Sequence, residues 1–401
     1  MTRLLVLLLT CLLLSPLSAQ DQATNELATQ AYRESNEEFN EAMSKFHKAV
    51  EAAKTADEKK KVFEKLQPRT DYYTPKFMAL ATRYPKSNAA VDALLWVVTH
   101  PVGGESPRAG LRDKALDLLL ADHLKDRRLG MLCTRMVHSL DEASEKFLRQ
   151  AYAKGPTFGI QARACASLAH NLKFRARLVR SLKDDAEAAK DYERSLGKAT
   201  VARLQKGDPK TLLAESEKLF LVVSEKYGEM AHPLHGTMSE LARWHLLSIR
   251  RPITLDKPSP NLIGEDLQGK KMALRDFPDK VILIDFNASY FPPCRQTLDY
   301  ERKLVARLDG KAFVLIGVNG DGDKAVIRKY VKDEKITWRM WYDGGGTAGP
   351  IATRWEVDTW PTLFLIDAKG VVRSIYEGWP DAKALDTEID KLLAEAAKKK
   401  N

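Results

Sequence analysis

The chain has 401 residues, 44% hydrophobic and 29% charged, with a formal net charge of +10. That balance fits a soluble protein with room for two or three domains, and it excludes a disordered chain or a multi-span membrane protein. Lys and Arg are scattered at helical spacing without a nucleic-acid motif, so nucleic acid is not an expected partner. The basic excess reads as a solvated surface, or else as an attraction to an anionic envelope surface or polymer.

The first element is the apolar run Leu4 to Leu17, preceded by Arg3 and followed by the small residues Ser18 and Ala19. It is too short to favour a membrane span and reads as a signal peptide, residues 1–19, cleaved after Ala19. The alternatives are an uncleaved N-terminal anchor or a lipid attachment at Cys11. Export to a periplasm or cell envelope follows, with no membrane span once the signal is removed. Cys133, Cys165 and Cys294 then remain in an oxidising compartment. Cys133 and Cys165 lie in helical stretches, where either a disulfide or two buried thiols is expected.

From residue 20 to 251 the pattern is helix after helix. Apolar residues recur at three and four spacing from Asn25 to Lys54, and Thr55-Ala-Asp-Glu58 has the form of a capping box. Further helices are predicted over Tyr72–Arg83, Ala89–His100, Leu111–His123, Leu129–Ser139, Glu142–Ala153, Phe158–Leu182, Asp185–Leu196, Lys210–Tyr227 and Ser239–Ile249. Pro101, Gly103-Gly104, Pro107, Gly155-Pro156 and Gly207-Asp208-Pro209 punctuate them. No repeat consensus recurs, so the prediction is an irregular all-α array or bundle. His100, His123, His138 and His170 fall on different helices without a two-on-one-face pattern, and no metal is expected.

After Arg250-Arg251-Pro252 the character changes. A hairpin over Leu262–Lys270 is followed by a strand at Val281–Phe286, a helix at Arg295–Leu308, a strand at Phe313–Val318 and a helix at Asp323–Asp333. Strands at Thr362–Asp367 and Val371–Tyr376 and a helix at Lys383–Ala397 close the chain. Two parallel strands joined by a helix, then an antiparallel pair and a last helix, predict an α/β domain over residues 252–401. Gly320-Asp321-Gly322-Asp323 lacks the ligand spacing of a calcium loop. Gly344-Gly345-Gly346 and Gly349-Pro350 read as a flexible loop without the Lys-Ser/Thr of a phosphate loop. Trp338, Trp341 and Trp355 are expected in the core.

Four stretches carry a resemblance: "GEDLQGKKMALRDFPDKV", "ILIDFNASYFPPC", "VLIGVNGDGD" and "VDTWPTLFLIDAKGVV". They resemble the TlpA/ResA group of exported thioredoxin-like proteins, which implies a thioredoxin-like C-terminal domain preceded by an all-α domain. The resemblance implies thiol–disulfide oxidoreduction without a cofactor, with a protein client that carries a cysteine. In that group a first cysteine at a helix N-terminus attacks and a second, one turn on, resolves. The first position holds Phe291 here and the second holds Cys294, with Pro292 and Pro293 between. By the same resemblance Pro361 is the cis-proline and Asp285 a buried acid beneath the resolving cysteine; otherwise Asp285 is a strand-end acid with a local hydrogen bond. Tyr290 takes the place of a tryptophan, Asn287 that of an aromatic residue, and Trp360 that of a small polar residue. No histidine follows His245, so no Cys–His pair is expected in this domain. Cys294 is left with three readings: an active monothiol, a vestigial or structural cysteine, or part of a binding surface made by Tyr290, Phe291, Pro292, Pro293 and Trp360.

Overall fold

The computed structural model describes residues 19–100, 108 and 110–398. The expected signal segment through Ser18 with Cys11, and the breaks at Pro101, Gly103-Gly104 and Pro107, lie outside the described residues. The chain divides into two compact units, residues 1–167 and 168–401. This packing division differs from the change in sequence character at residue 252, because helices beyond residue 168 pack with the C-terminal unit.

The first unit holds α1 (Ala19–Ala52), α2 (Ala56–Leu66), α3 (Thr70–Arg83), α4 (Asn88–Thr99), α5 (Leu111–Asp122), α6 (Arg128–Thr134) and α7 (Glu142–Lys154). The helix α8 (Phe158–Asp184) runs across the division. The Thr55 hydroxyl accepts the Glu58 amide and the Glu58 carboxylate accepts the Thr55 amide, so the capping box forms as its sequence predicts. Ser87 and Asp141 cap α4 and α7 by accepting the Ala90 and Ser144 amides. The core includes Trp96 stacked on Phe77 at 4.2 Å and on His100 at 4.4 Å. Cys133 and Cys165 are both buried here as reduced thiols, which resolves that alternative against a disulfide. Burial pushes the Cys133 thiol up to about 12.

The second unit continues with α9 (Ala186–Leu196), α10 (Lys198–Gln205), α11 (Pro209–Tyr227), a two-residue hairpin of β1 (Ala231–His232) and β2 (Gly236–Thr237), and α12 (Met238–Arg250). A second hairpin, β3 (Ile263–Glu265) and β4 (Lys271–Ala273), leads into β5 (Val281–Asn287). Then come α13 (Pro292–Arg307), β6 (Phe313–Asn319), α14 (Lys324–Asp333), β7 (Met340–Tyr342), α15 (Pro350–Trp355), β8 (Thr362–Ile366), β9 (Val372–Glu377) and α16 (Ala382–Lys398). The five-stranded sheet has the order β7-β6-β5-β8-β9. Strands β5, β6 and β7 are parallel, and β8 and β9 run antiparallel.

Strand β5 lies at the centre of this sheet, and its first six residues are all buried. Its alternate side chains enter two different cores. Val281 and Leu283 pack with Leu304 of α13 and Leu385 and Ile389 of α16. Ile282, Ile284 and Phe286 pack with Met272, Ala352 and Trp355. Asp285 belongs to the same alternation as Val281 and Leu283, which places it on the face covered by α13. Trp341 and Trp355 are core residues as expected, and the Trp341 indole N–H donates to the Met272 carbonyl at 3.0 Å.

The glycine-rich loop contains a short turn held to the end of β6. Gly346–Ala348 forms a 3-10 turn, and the Gly346 amide donates to the Gly320 carbonyl at 2.8 Å. The buried Asp343 carboxylate accepts the Ile351 and Ala352 amides, both at 2.8 Å, and so caps α15.

Candidate functional site

The site lies where β5 ends and α13 begins. Parallel strands leave this edge to loops, and a helix N-terminus points into it. In register, Asp285 pairs with Gly317 and Asn287 with Asn319. From there a polar chain runs across the strand ends. The Asn287 amide donates to Asp285 Oδ2 at 2.6 Å, and the Asn319 amide donates to Asn287 Oδ1 at 3.1 Å and to Asp321 Oδ2 at 2.6 Å. Asp321 also accepts the Ser289 amide at 2.8 Å and the Ser289 hydroxyl at 2.5 Å. Asp321 is therefore committed to the turn before α13, and Asp323 caps α14 through the Ala325 amide. Both acids of the Gly320–Asp323 stretch have structural work to do.

The turn presents Tyr290, which is 62% exposed, and then Phe291 at the N-cap of α13. Phe291 has no side-chain acceptor, so no cap hydrogen bond forms there. Pro292 and Pro293 are exposed and fill the first positions of the helix, where a missing N–H costs least. The Phe291 ring is half-buried against the apolar cluster that contains Ala288, Cys294 and Trp360.

Cys294 is only 5% exposed. Burial pushes its thiol up to about 12, and the nearby acids Asp285, Glu301 and Asp321 push the same way. The Ala288 backbone opposes them through a hydrogen bond. Among the cysteines of the described residues, all are buried and none is paired as a disulfide. A nucleophilic thiol has the opposite environment, electropositive and partly exposed.

Asp285 is buried beneath the helix, 2% exposed, and burial raises its carboxyl to about 6. Glu301, 1% exposed, faces it from α13 and is raised well above the ordinary glutamate range by burial and then by Asp285. Sequence reasoning assigned no role to Glu301. The signal was available: Cys294, Thr297, Leu298, Glu301 and Leu304 are the buried residues of α13, a stripe at helical spacing. An acid two turns after the cysteine therefore lies on the inward face.

The Trp360–Pro361 peptide is cis and both residues are buried. Trp360, expected on the binding surface, is 8% exposed and belongs to the core. Its ring fills the space over Gly320, where an added Cβ would lie 2.7 Å from Trp360 Cζ2. Tyr290, Pro292 and Pro293 remain as the exposed part of that expected surface.

With this geometry in place, the comparisons are informative. Residues 255–375 match the model of the AhpC/TSA family. The region is 28% identical over 138 residues to a thiol-disulfide oxidoreductase ResA of Bacillus thuringiensis, covering 34% of this chain and 78% of the relative. It is 27% identical over 135 residues to the thioredoxin-like protein YneN of Bacillus subtilis, covering 33% and 76%. A solved structure of a DsbE thiol:disulfide interchange protein from Chlorobium tepidum is similar at 26% identity and a TM-score of 0.33, covering 35% of this chain and 99% of that one. The C-terminal region belongs to the thioredoxin-fold redoxin family. In this thioredoxin-like domain the Trp360–Pro361 peptide is cis, and Asp285, Phe291 and Cys294 lie at the end of β5 and the start of α13. Among the described residues, no helix is long and apolar enough to cross a membrane.

Proposed function

We propose that this chain is an exported thioredoxin-like protein of the thiol–disulfide oxidoreductase type that has lost its dithiol cycle. Its C-terminal domain, with the helical region before it, serves as a scaffold for a protein client in the periplasm or cell envelope. One observation carries this reading: Phe291 occupies the N-cap of α13, and the remaining sulfur of Cys294 is 5% exposed with its thiol held at about 12. Disulfide exchange starts with thiolate attack on a sulfur, and a cycle through an internal disulfide needs two sulfurs. Phe291 supplies none, and Cys294 at neutral pH is a shielded thiol. The exposed Tyr290, Pro292 and Pro293 at the start of α13 are the groups left to meet a client.

The rival reading is an active monothiol, in which the Cys294 thiolate attacks a disulfide of the client, forming a mixed disulfide and releasing the client's other cysteine as a thiolate, or is oxidised to a sulfenate by a peroxide, with water or an alcohol leaving. The two separate in one experiment on the native protein, combining alkylation of Cys294 at neutral pH with an insulin-reduction assay. The scaffold reading predicts no turnover and labelling at least about tenfold slower than that of a free thiol. Fast labelling with measurable turnover establishes the monothiol instead.

A further inference from the structure

The floor of the site holds two carboxyl groups where one charge is already expensive. Asp285 on β5 and Glu301 on the inward face of α13 are 2% and 1% exposed, and the two carboxyls lie close enough to act on one another. Standing donors serve only part of this pair. The Asn287 amide reaches Asp285 Oδ2 at 2.6 Å, whereas the Thr297 hydroxyl donates to the Cys294 carbonyl at 2.8 Å and lies at a long 3.5 Å from Glu301 Oε1. Among the described residues, Asp285 Oδ1 receives no hydrogen bond from any amide, hydroxyl or cation. A buried carboxylate oxygen without a donor is costly, and two neighbouring buried carboxylates cannot both be ionised. A single proton removes both difficulties. Carried by Glu301, it turns one repulsion into a charge-assisted hydrogen bond.

We propose that Asp285 and Glu301 share one proton beneath Cys294, with the proton on Glu301 and the charge on Asp285, and that Glu301 is the positioning residue which holds Asp285 under the thiol. The surroundings favour this distribution. Asp285 has the Asn287 amide to stabilise its charged form, and the same amide is tied to Asn319 through Asn287 Oδ1. The other groups facing the pair are Cys294 and Arg302 on α13 and Tyr330 on α14, and Asp321 beyond β6 acts on Cys294. Arg302 is the one cation among them, and it acts on Glu301 less strongly than burial and Asp285 do. Opposite Asp285, β8 contributes the apolar Leu363 and β6 contributes Gly317. The pairing stands on this geometry. It does not depend on the proposed function of the site.

The test is a carbon-13 NMR titration of the side-chain carboxyls in the full chain, wild type against Glu301→Leu, Glu301→Gln and Asp285→Asn. At pH 7 the wild type is expected to show one of the two carboxyls protonated. Glu301→Leu removes the donor and raises the Asp285 midpoint by about one pH unit. Glu301→Gln keeps an N–H donor and holds that midpoint at its wild-type value, a rescue that a merely space-filling residue would not show. Asp285→Asn lowers the Glu301 midpoint. Two ionised carboxyls at pH 7, an Asp285 midpoint unmoved by Glu301→Leu, or identical behaviour of the Leu and Gln variants overturns the pairing. No turnover is measured, so the pairing and the proposed function fail separately.

Discussion

Phe291 and Cys294 sit one helical turn apart, and the consequences of the site follow from that pair. A cysteine at the N-cap would meet the amide groups and dipole of α13. At the third helical position Cys294 faces the sheet instead, over two acids. The acids carry their own prediction. Burial raises both Asp285 and Glu301 above their unfolded values, which lie near about 4. The folded chain therefore holds more protons than the unfolded chain between about pH 4 and the folded midpoints. The stability these groups contribute is fully present below about pH 4 and is lost as pH rises through the folded midpoints, about 6 for Asp285 and well above the ordinary glutamate range for Glu301. Urea unfolding of the wild type at pH 5 and pH 8 should show this loss. In the double variant Asp285→Asn, Glu301→Gln the difference between the two pH values should shrink. An unchanged pH dependence contradicts the burial of titrating carboxyls there.

At the scale of elements, close approach decides what the chain tolerates. Gly349 has an ordinary φ of −64°, so backbone freedom is not its purpose. A Cβ at that position would lie 2.2 Å from the Asp343 carboxylate that caps α15. Gly349→Ala is therefore expected to destabilise the protein by about 1–3 kcal/mol in a urea melt, with a neutral result counting against the cap. Elements with a long period or explicit end signals were legible in the sequence. Examples are α2 behind its Thr55 capping box and α11 behind Asp208-Pro209. The short pieces were not. The three residues of β7 and the six of α15 are too few to express a period, and their positions are set by pairing to β6 and by Asp343. The helix α6 is also shorter than its apolar pattern, ending at Thr134 rather than Ser139. Within the site, the missing nucleophile could be read from one letter. Glu301 was legible only through its spacing, two turns after Cys294 on the inward stripe of α13, because an acid in a helix otherwise reads as solvated. Trp360 misled in the opposite direction: its neighbour Pro361 suggested a surface, and the gap over Gly320 drew the ring inside.

For the whole molecule, composition and packing draw different boundaries. The sequence changes character near residue 252, whereas compactness changes at residue 168. The C-terminal unit thus includes helices that its family match, starting at residue 255, does not cover. The cysteines give a measurement at this scale. Denatured without reductant, a chain cleaved after Ala19 should release three thiols, from Cys133, Cys165 and Cys294. Cys11 adds a fourth where the N-terminal segment is retained. A count of one after cleavage would mean that Cys133 and Cys165 pair. The most direct test of the central claim is insulin reduction by the wild type beside Phe291→Cys, each with its circular dichroism recorded. Loss of the nucleophile alone predicts an inert wild type and a variant that folds and reduces insulin. Turnover by the wild type, or a folded Phe291→Cys that stays inert, contradicts it.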